Sequence, residues 1–207
     1  KSLKNGADYS ANRTVIAASY SGLNTKEKIL KFQAALPDNQ KDYFEAFSKE
    51  SNKKKREKIL EMLPADISRA YQQIWTNNDI AAQAKKSGKS VEKALAQNLH
   101  KQTNNLREAF GSDVKLSSKE IQQAKDKVAK GKDWYATHSS FSKSEREEYA
   151  QDDIVRSKAA KLEAAEYVSS ATGIPSTKFA GWDPRLTTDD IKIRTLSIGH
   201  EDLKKFG

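Results

Sequence analysis

Apolar residues recur along most of the chain at the three- and four-residue spacing of an amphipathic helix. The clearest stripe is Ile67, Ala70, Tyr71, Ile74 and Trp75. No segment keeps the two-residue alternation of a half-buried strand. The stripes are narrow and the polar faces are long, which favours long helices that each contact one or two neighbours. We therefore predict an all-α fold, an elongated multi-helix bundle of helical hairpins.

The first part of the chain divides into an arm and a set of hairpins. Residues 1–23 lack helical periodicity and predict an irregular arm with at most one helical turn, around Val15–Ala18. Residues 24–78 predict helical hairpins with Leu-Pro turns, because Pro37 and Pro64 each end an apolar stripe. The predicted helix starts are a capping box from Asn24 to Glu27, and N-caps at Asp38 and Ser51.

Residues 79–172 predict a region of long helices. Gly88 and Gly111 are typical of helix ends, whereas the run 103–105 (Thr-Asn-Asn) weakens helix continuity. Capping boxes at Ser117 and Ser142 each have a Glu three residues later, and the second opens the longest predicted helix, 143–170. Residues 173–207 predict a Gly/Trp/Pro turn followed by short C-terminal helices, one of which would contain Ile193.

Composition excludes several kinds of chemistry but does not identify a function. The 207 residues are 36% hydrophobic and 31% charged, with a net charge of +9 and no cysteine. The absence of cysteine excludes disulfides, thiolate metal sites and cysteine nucleophiles. No apolar run reaches the ~20 residues that cross a bilayer. The chain begins at Lys1 and its one methionine is internal, from which we expect a processed product or part of a longer polypeptide.

No catalytic constellation is apparent in the sequence. His100, His138 and His200 lack a metal-ligand spacing, and a structural or solvent-facing role is expected for each. The adjacent carboxylates at 152–153 and at 189–190 would point about 100° apart on a helix, so neither pair would share a proton or a metal ion. We predict no enzymatic activity for this segment, no cofactor and no small-molecule substrate.

One basic cluster stands out in the predicted first turn of a helix. It consists of Lys53, Lys54, Lys55 and Arg56. Cations at a helix N-terminus oppose the helix dipole, so local stability does not explain them. Three interpretations remain open: a solvated helix corner, a nucleic-acid contact in which phosphates displace counterions, and a contact with an acidic protein surface.

Aromatic residues near predicted turns are the other candidate contacts. Trp75 lies on a helical face, where packing in the core is the ordinary expectation, but tryptophan is also a common interface anchor. Trp182 and Phe179 lie in the Gly/Pro turn. We predict partner contacts at Trp75, Trp182 and Phe179.

Two groups of segments carry a family resemblance. They are YFEAF (43–47), EKILEMLP (57–64) and YQQIW (71–75), and then GWDPRL (181–186), DIKI (190–193), Gly199, Asp202 and Phe206. Together they resemble segments of the very large, multi-domain (polyvalent) internal or ejection virion proteins of tailed bacteriophages. The shared motifs are aromatic helix patterns without a catalytic signature.

The resemblance implies a context rather than a reaction. It implies a non-enzymatic structural segment of internal cargo or of the ejection apparatus, packed near the portal and DNA in the virion interior and delivered into the host cell on infection. The implied partners are portal or tail components, copies of the chain itself and packaged DNA. Two alternatives stay open: a basic helical nucleic-acid-binding module, and a helical accessory domain of a larger phage enzyme.

Overall fold

A computed structural model describes residues 3–4, 6–172 and 193–194 of the chain. The predicted all-α multi-helix bundle is confirmed. The helices are α1 (Gly6–Tyr20), α2 (Lys26–Ala35), α3 (Asp38–Lys41), α4 (Phe44–Ser48), α5 (Lys53–Met62), α6 (Ala65–Lys86), α7 (Val91–Phe110), α8 (Ser118–Ala129), α9 (Trp134–Thr137) and α10 (Lys143–Thr172). A 3₁₀ turn, Gly111–Val114, follows α7. Two short strands, β1 (Leu3–Lys4) and β2 (Ile193–Arg194), pair antiparallel with Leu3 opposite Arg194.

The chain divides into two compact units. Unit 1 consists of residues 1–78 and 160–207, and unit 2 consists of residues 79–159. Unit 1 therefore contains α1 to α5, most of α6 and the end of α10, whereas unit 2 contains α7 to α9 and the first part of α10. Each unit has its own cluster of buried side chains.

The N-terminal arm is the main correction to the sequence analysis. Residues 6–20 form helix α1 rather than an irregular segment. The polar composition hides the helix because its apolar residues are few, but Val15, Ile16 and Ala18 are all buried. Val15 and Ala18 pack into the core of unit 1 with Phe32. Tertiary burial thus stabilises a helix that local propensity alone does not favour.

The predicted N-caps in unit 1 are each displaced by one residue. Helix α2 is capped by the Thr25 side chain, which accepts from the Lys28 amide at 3.3 Å, so Asn24 and Glu27 do not form the predicted box. Helix α5 is capped by Asn52 rather than Ser51. The single helix predicted after Pro37 is two short helices, α3 and α4. Neighbouring Asn, Ser and Thr residues compete for a cap, and backbone position decides among them.

The start and stop signals of unit 2 are confirmed. Ser117 forms both hydrogen bonds of a capping box with Glu120, and Ser142 and Glu145 form the same pair of bonds. Helix α10 begins at Lys143 and ends at Thr172, close to the predicted 143–170. Gly88 and Gly111 follow α6 and α7 with φ angles of 69° and 56°. Residues with a side chain disfavour such positive angles, which is why glycine ends both helices.

Aromatic rings dominate the core of unit 1. Tyr71 lies at its centre, with ring centroids at 5.7 Å from Phe32, 5.9 Å from Phe47 and 5.9 Å from Trp75. Edge-to-face and stacked pairs at these distances add about 0.5–1.5 kcal/mol each beyond the burial of area. Burial also raises the pKa of the Tyr71 hydroxyl above its ordinary value.

Small residues form much of the interior of unit 2. The buried cluster consists of Ala96, Ala124, Val128, Tyr135, Ala136, Phe141, Tyr149 and Ala150. Alanine buries little apolar area, so this interior gains less from the hydrophobic effect than one built from rings. Charged groups also join the helices of unit 2, at Asp152 and Arg156 of α10.

Most of the predicted C-terminal features lie outside the described residues. These include the Gly/Trp/Pro turn at 181–186 and the partner-contact candidates Phe179 and Trp182. Ile193, predicted within a short helix, lies instead in strand β2. Ile193 lies opposite Lys4 of β1, so its backbone is extended rather than helical.

Candidate functional site

The basic cluster occupies the predicted first turn of α5. Lys53, Lys54 and Lys55 are exposed there. The Asn52 side chain accepts from the Lys55 amide at 3.1 Å and fixes the start of the helix. The three lysines therefore form an exposed corner with a defined backbone, which we call the lysine corner (53–55).

Arg56 differs from the three lysines before it. Its Nε donates to the Glu50 carbonyl at 2.6 Å, and its guanidinium lies 5.2 Å from the centroid of the Trp75 ring. These contacts hold the turn before α5 against the core of unit 1. The predicted four-residue site is thus divided between three exposed lysines and one arginine with a structural role.

The predicted partner contact at Trp75 is wrong. Its side chain is 3% exposed, and its Nε1 donates to the Phe47 carbonyl at 2.6 Å. The indole also packs against Tyr71 in the aromatic core. The same regular helical spacing that placed Trp75 on an apolar face explains why it is buried.

A buried ionic network joins α7 to α10 in unit 2. Asp152 is 1% exposed, yet its carboxylate lies 2.5 Å from His100 Nδ1 and 2.7 Å from Arg107 Nη1. Because a carboxylate only accepts, His100 Nδ1 donates. Glu148 lies 3.7 Å from His100 Nε2, so a protonated imidazole would have an acidic group near each nitrogen. The buried carboxylate of Asp152 thus lies beside two basic groups, which offset the cost of removing its charge from water.

Arg156 forms a second contact between the same two helices. Its Nη1 donates to the Thr103 hydroxyl at 2.8 Å, and its Nη2 pairs with Asp153 on its own helix. Thr103 is fully buried and its hydroxyl donates to the Leu99 carbonyl at 2.7 Å. The predicted weak point at 103–105 is therefore incorrect, because Arg156 and burial hold α7 continuous there.

Asp152 and Asp153 do diverge as predicted. Asp152 pairs with α7, whereas Asp153 pairs with Arg156 and interacts with the Tyr135 hydroxyl. Burial and the two carboxylates Asp153 and Asp133 raise the pKa of Tyr135. The adjacent acids thus act as separate links, not as a catalytic pair.

This network was not among the predicted sites, although the sequence contains a signal for it. His100, Thr103 and Arg107 recur on α7 at the spacing of one helical face, and Asp152 and Arg156 recur four residues apart on α10. Polar faces of complementary charge on two long helices indicate a paired interface. Which helices pair, however, is decided only by the fold.

Unit 1 contains a smaller polar cluster around Glu163. Its carboxylate pairs with Arg69, with the Nη1 contact at 2.9 Å, and accepts from the Tyr20 hydroxyl at 2.9 Å. The Arg69 guanidinium also lies 4.3 Å from the centroid of the Tyr20 ring. These contacts fasten α1 and α6 to the end of α10.

Asp66, near this cluster, is a buried acid with few polar contacts to offset the cost of its burial. It is 8% exposed, and its Oδ1 accepts from the Ile67 amide at 2.9 Å. Its Oδ2 is buried and has no hydrogen-bond partner among the described residues. Burial, followed by the negative charge of Glu163, raises the pKa of Asp66 to about 6.

An exposed indole in unit 2 lies next to a lysine-rich turn. Trp134 is 39% exposed at the start of α9, and its ring centroid lies 4.6 Å from that of His138. The chain before it has exposed lysines at the end of α8 and in the following turn: Lys125, Lys127, Lys130 and Lys132. We call Trp134 together with Lys130 and Lys132 the indole patch.

The described residues contain no group of three or more histidine or acidic side chains arranged to hold a metal ion. Among the same residues, no helix has the length and apolar content that a membrane span requires. The chain matches no family model, no curated protein and no solved structure.

Proposed function

We propose that this segment is a non-enzymatic structural module of a phage virion protein, either internal cargo or part of the ejection apparatus. It acts by packing helices and by presenting a basic surface to other virion components. The proposal rests on the ionic network of unit 2, in which the Asp152 carboxylate contacts both His100 and Arg107. A histidine and a buried acid used in this way join helices rather than bind a substrate.

The geometry of His100 supports a structural role over a catalytic one. In a Ser-His-Asp triad, a carboxylate accepts from one ring nitrogen of the histidine and leaves the other nitrogen to take the proton. Asp152 is suitably placed at 2.5 Å, but Arg107 shares that carboxylate at 2.7 Å. The other ring nitrogen, Nε2, lies 3.4 Å from Asn104 Nδ2 on α7 and 3.7 Å from Glu148 on α10, so both nitrogens of His100 meet side chains of these two helices. The arrangement therefore fits a clamp between α7 and α10 better than a proton acceptor.

The surface supports a role beside a polyanion. The net charge of +9 is combined with exposed lysines at the lysine corner and at the end of α8. A charge of this sign attracts polyanions over a distance of a Debye length, about 8–10 Å at physiological salt. Packaged DNA supplies such a surface throughout a virion interior.

The location is tested on purified particles of the phage that encodes the chain. We expect mass spectrometry to detect peptides of residues 1–207 in particles purified by density gradient. We also expect them to resist added protease until genome ejection is triggered. A chain abundant in infected cells but missing from such particles would overturn the proposal, and so would digestion of the chain in intact particles.

A further inference from the structure

The indole patch combines features that an ordinary solvated helix end lacks. A single exposed apolar side chain needs no explanation by itself, so the case for a site here depends on the groups around it. Among the side chains described between residues 13 and 167, the large apolar ones that are exposed are Leu30 and Trp134. Leu30 also has exposed lysines beside it in the sequence, at Lys26 and Lys31. Trp134, however, is the one of the two that offers an aromatic ring, and Lys130 and Lys132 precede it by four and two residues.

The inner side of the Trp134 indole is held by other rings. Its centroid lies 4.6 Å from His138 and 5.7 Å from Phe141, and His138 stacks on Phe141 at 4.8 Å. Ser140 hydrogen-bonds His138 Nδ1 at 2.6 Å, which fixes the imidazole. Phe141 is buried in the core of unit 2. These ring contacts therefore hold the indole in a defined orientation, with the side chain 39% exposed.

The turn before Trp134 fixes the positions of the lysines. Gly131 has a φ of 62°, its amide donates to the Val128 carbonyl at 3.1 Å, and the Lys132 amide donates to the Lys127 carbonyl at 3.3 Å. This is a Schellman motif, which closes α8 and reverses the chain. Lys130 and Lys132 thus leave a rigid turn just before the indole.

Local acids do not cancel this charge. Asp133 already pairs with Lys127 at 3.1 Å and accepts from the Tyr135 hydroxyl at 2.6 Å. Helix-dipole stabilisation accounts for lysines within the last turn of α8, but Lys132 lies beyond the end of the helix. The positive charge of the turn is therefore available to an external anion.

We propose that the indole patch binds single-stranded nucleic acid, with one base stacked on Trp134 and the neighbouring phosphates near Lys130 and Lys132. Stacking platforms beside basic grooves are how proteins hold single strands without sequence preference. A duplex keeps its base faces inside the stack and cannot use the indole in this way. Protein interfaces surround a tryptophan anchor with a core depleted of lysine, which is the opposite of this site.

The test is binding of a fluorescent dT20 oligonucleotide to the full chain at low salt, followed by anisotropy. Trp134→Ala should weaken binding by about 5- to 100-fold, as expected for loss of one stacked base. Trp134→Phe should restore most of the affinity, because phenylalanine also offers an aromatic face. Lys130→Gln combined with Lys132→Gln should reduce the slope of log K against log salt by about 1.4, since each phosphate contact contributes about 0.7.

The lysine corner supplies a matched control. The triple variant Lys53→Gln, Lys54→Gln and Lys55→Gln removes more charge but no aromatic ring, so it should weaken dT20 binding less than Trp134→Ala does. Circular dichroism and thermal unfolding establish that each variant is folded, and Trp134→Phe keeps the comparison informative if the alanine variant unfolds.

Four outcomes would overturn the proposal. They are no binding at low salt, equal affinity of Trp134→Ala and the wild type, equally tight binding of duplex DNA, and loss of self-association rather than of oligonucleotide binding in Trp134→Ala. The last result would identify the patch as a protein interface. None of these outcomes decides whether the chain is packaged in virions, so this inference and the proposed function fail separately.

Discussion

The two units of the molecule use different interactions to hold their helices. Unit 1 surrounds Tyr71 with Phe32, Phe44, Phe47 and Trp75, so ring packing and apolar burial hold it together. Unit 2 has an interior rich in alanine, and its helices α7 and α10 are joined by the ionic network around Asp152. A chain with only 36% hydrophobic residues can thus form one well-filled core and supplement a second with paired charges.

This difference has a consequence for specificity. Apolar packing depends on shape and tolerates similar side chains, whereas a buried carboxylate needs its own partners. Unit 1 should therefore respond most to lost volume, and unit 2 to lost charge. The following substitutions test that contrast.

The largest expected effect is that of Phe32→Ala in unit 1. Phe32 is fully buried and packs edge-to-face against both Phe44 and Tyr71. Its removal should lower the free energy of unfolding by about 4 kcal/mol, since the cavity adds to the lost transfer energy. Urea denaturation followed by circular dichroism measures the change. The matched control is Phe141→Ala in unit 2, which removes the same atoms from a buried position among smaller side chains and should cost about 3 kcal/mol. A loss in Phe141→Ala as large as that in Phe32→Ala would contradict the contrast.

The next effect is that of Asp152→Asn in unit 2. The amide has nearly the same shape but removes the charge that His100 and Arg107 share. We expect a loss of roughly 3 kcal/mol, because hydrogen bonds to charged groups contribute about 1.5–3 kcal/mol each and two such contacts are weakened. Glu148→Gln is the matched control on the same helix, and it should cost less than about 1 kcal/mol because the Glu148 side chain is half exposed and lies 3.7 Å from His100. The same denaturation experiment compares them, and a larger loss in Glu148→Gln would refute the assignment.

Of the three substitutions tested, Asp66→Asn in unit 1 has the smallest effect, and that effect has the opposite sign. The pKa of Asp66 is raised from 3.8 to about 6, so the folded state binds a proton more tightly than the unfolded state. The free energy of unfolding should therefore fall as the pH rises from about 4 to 6, by roughly 3 kcal/mol from this group. Asp66→Asn retains the acceptor for the Ile67 amide. This variant should stabilise the protein by about 2 kcal/mol at pH 7, measured by urea denaturation.

The pH profile gives the sharper readout for Asp66. The decline between about pH 4 and 6 should flatten in Asp66→Asn. It should remain in Glu57→Gln, a control at an exposed position of α5. An unchanged decline in Asp66→Asn, or a variant less stable than the wild type at neutral pH, would contradict the interpretation.

Local signals predicted the helices of unit 2 better than those of unit 1. The capping boxes at Ser117 and Ser142 are short-range hydrogen bonds between residues three apart, so the sequence contains all their parts. Gly88 and Gly111 end helices because few other residues adopt a positive φ. Helix α1 was not predicted because its stability comes from the burial of Val15 and Ala18 in the core of unit 1. The pattern of residues 6–20 does not show which of them the rest of the unit will bury.

The candidate sites were predicted less well, for the same physical reason. The lysine corner was found because three consecutive cations at a helix start are a local feature. Trp75 was assigned a partner contact and is buried, and the role of Arg56 depends on its contact with that ring. The indole patch depends on His138 and Phe141 to orient Trp134, an arrangement that the spacing of aromatic residues does not specify.

The sequence by itself determined the helical class, most helix boundaries and the excess of positive charge, because periodicity, capping and composition act over a few residues. Only the tertiary structure decided which charged side chains pair with one another inside the protein. Asp152 meets His100 and Arg107 across a long stretch of chain, and Arg156 meets Thr103 across a similar separation. Such pairings depend on which helix faces pack together. Once a charged group is buried, the loss of its partner is costly, whereas the same pair on the surface would contribute little.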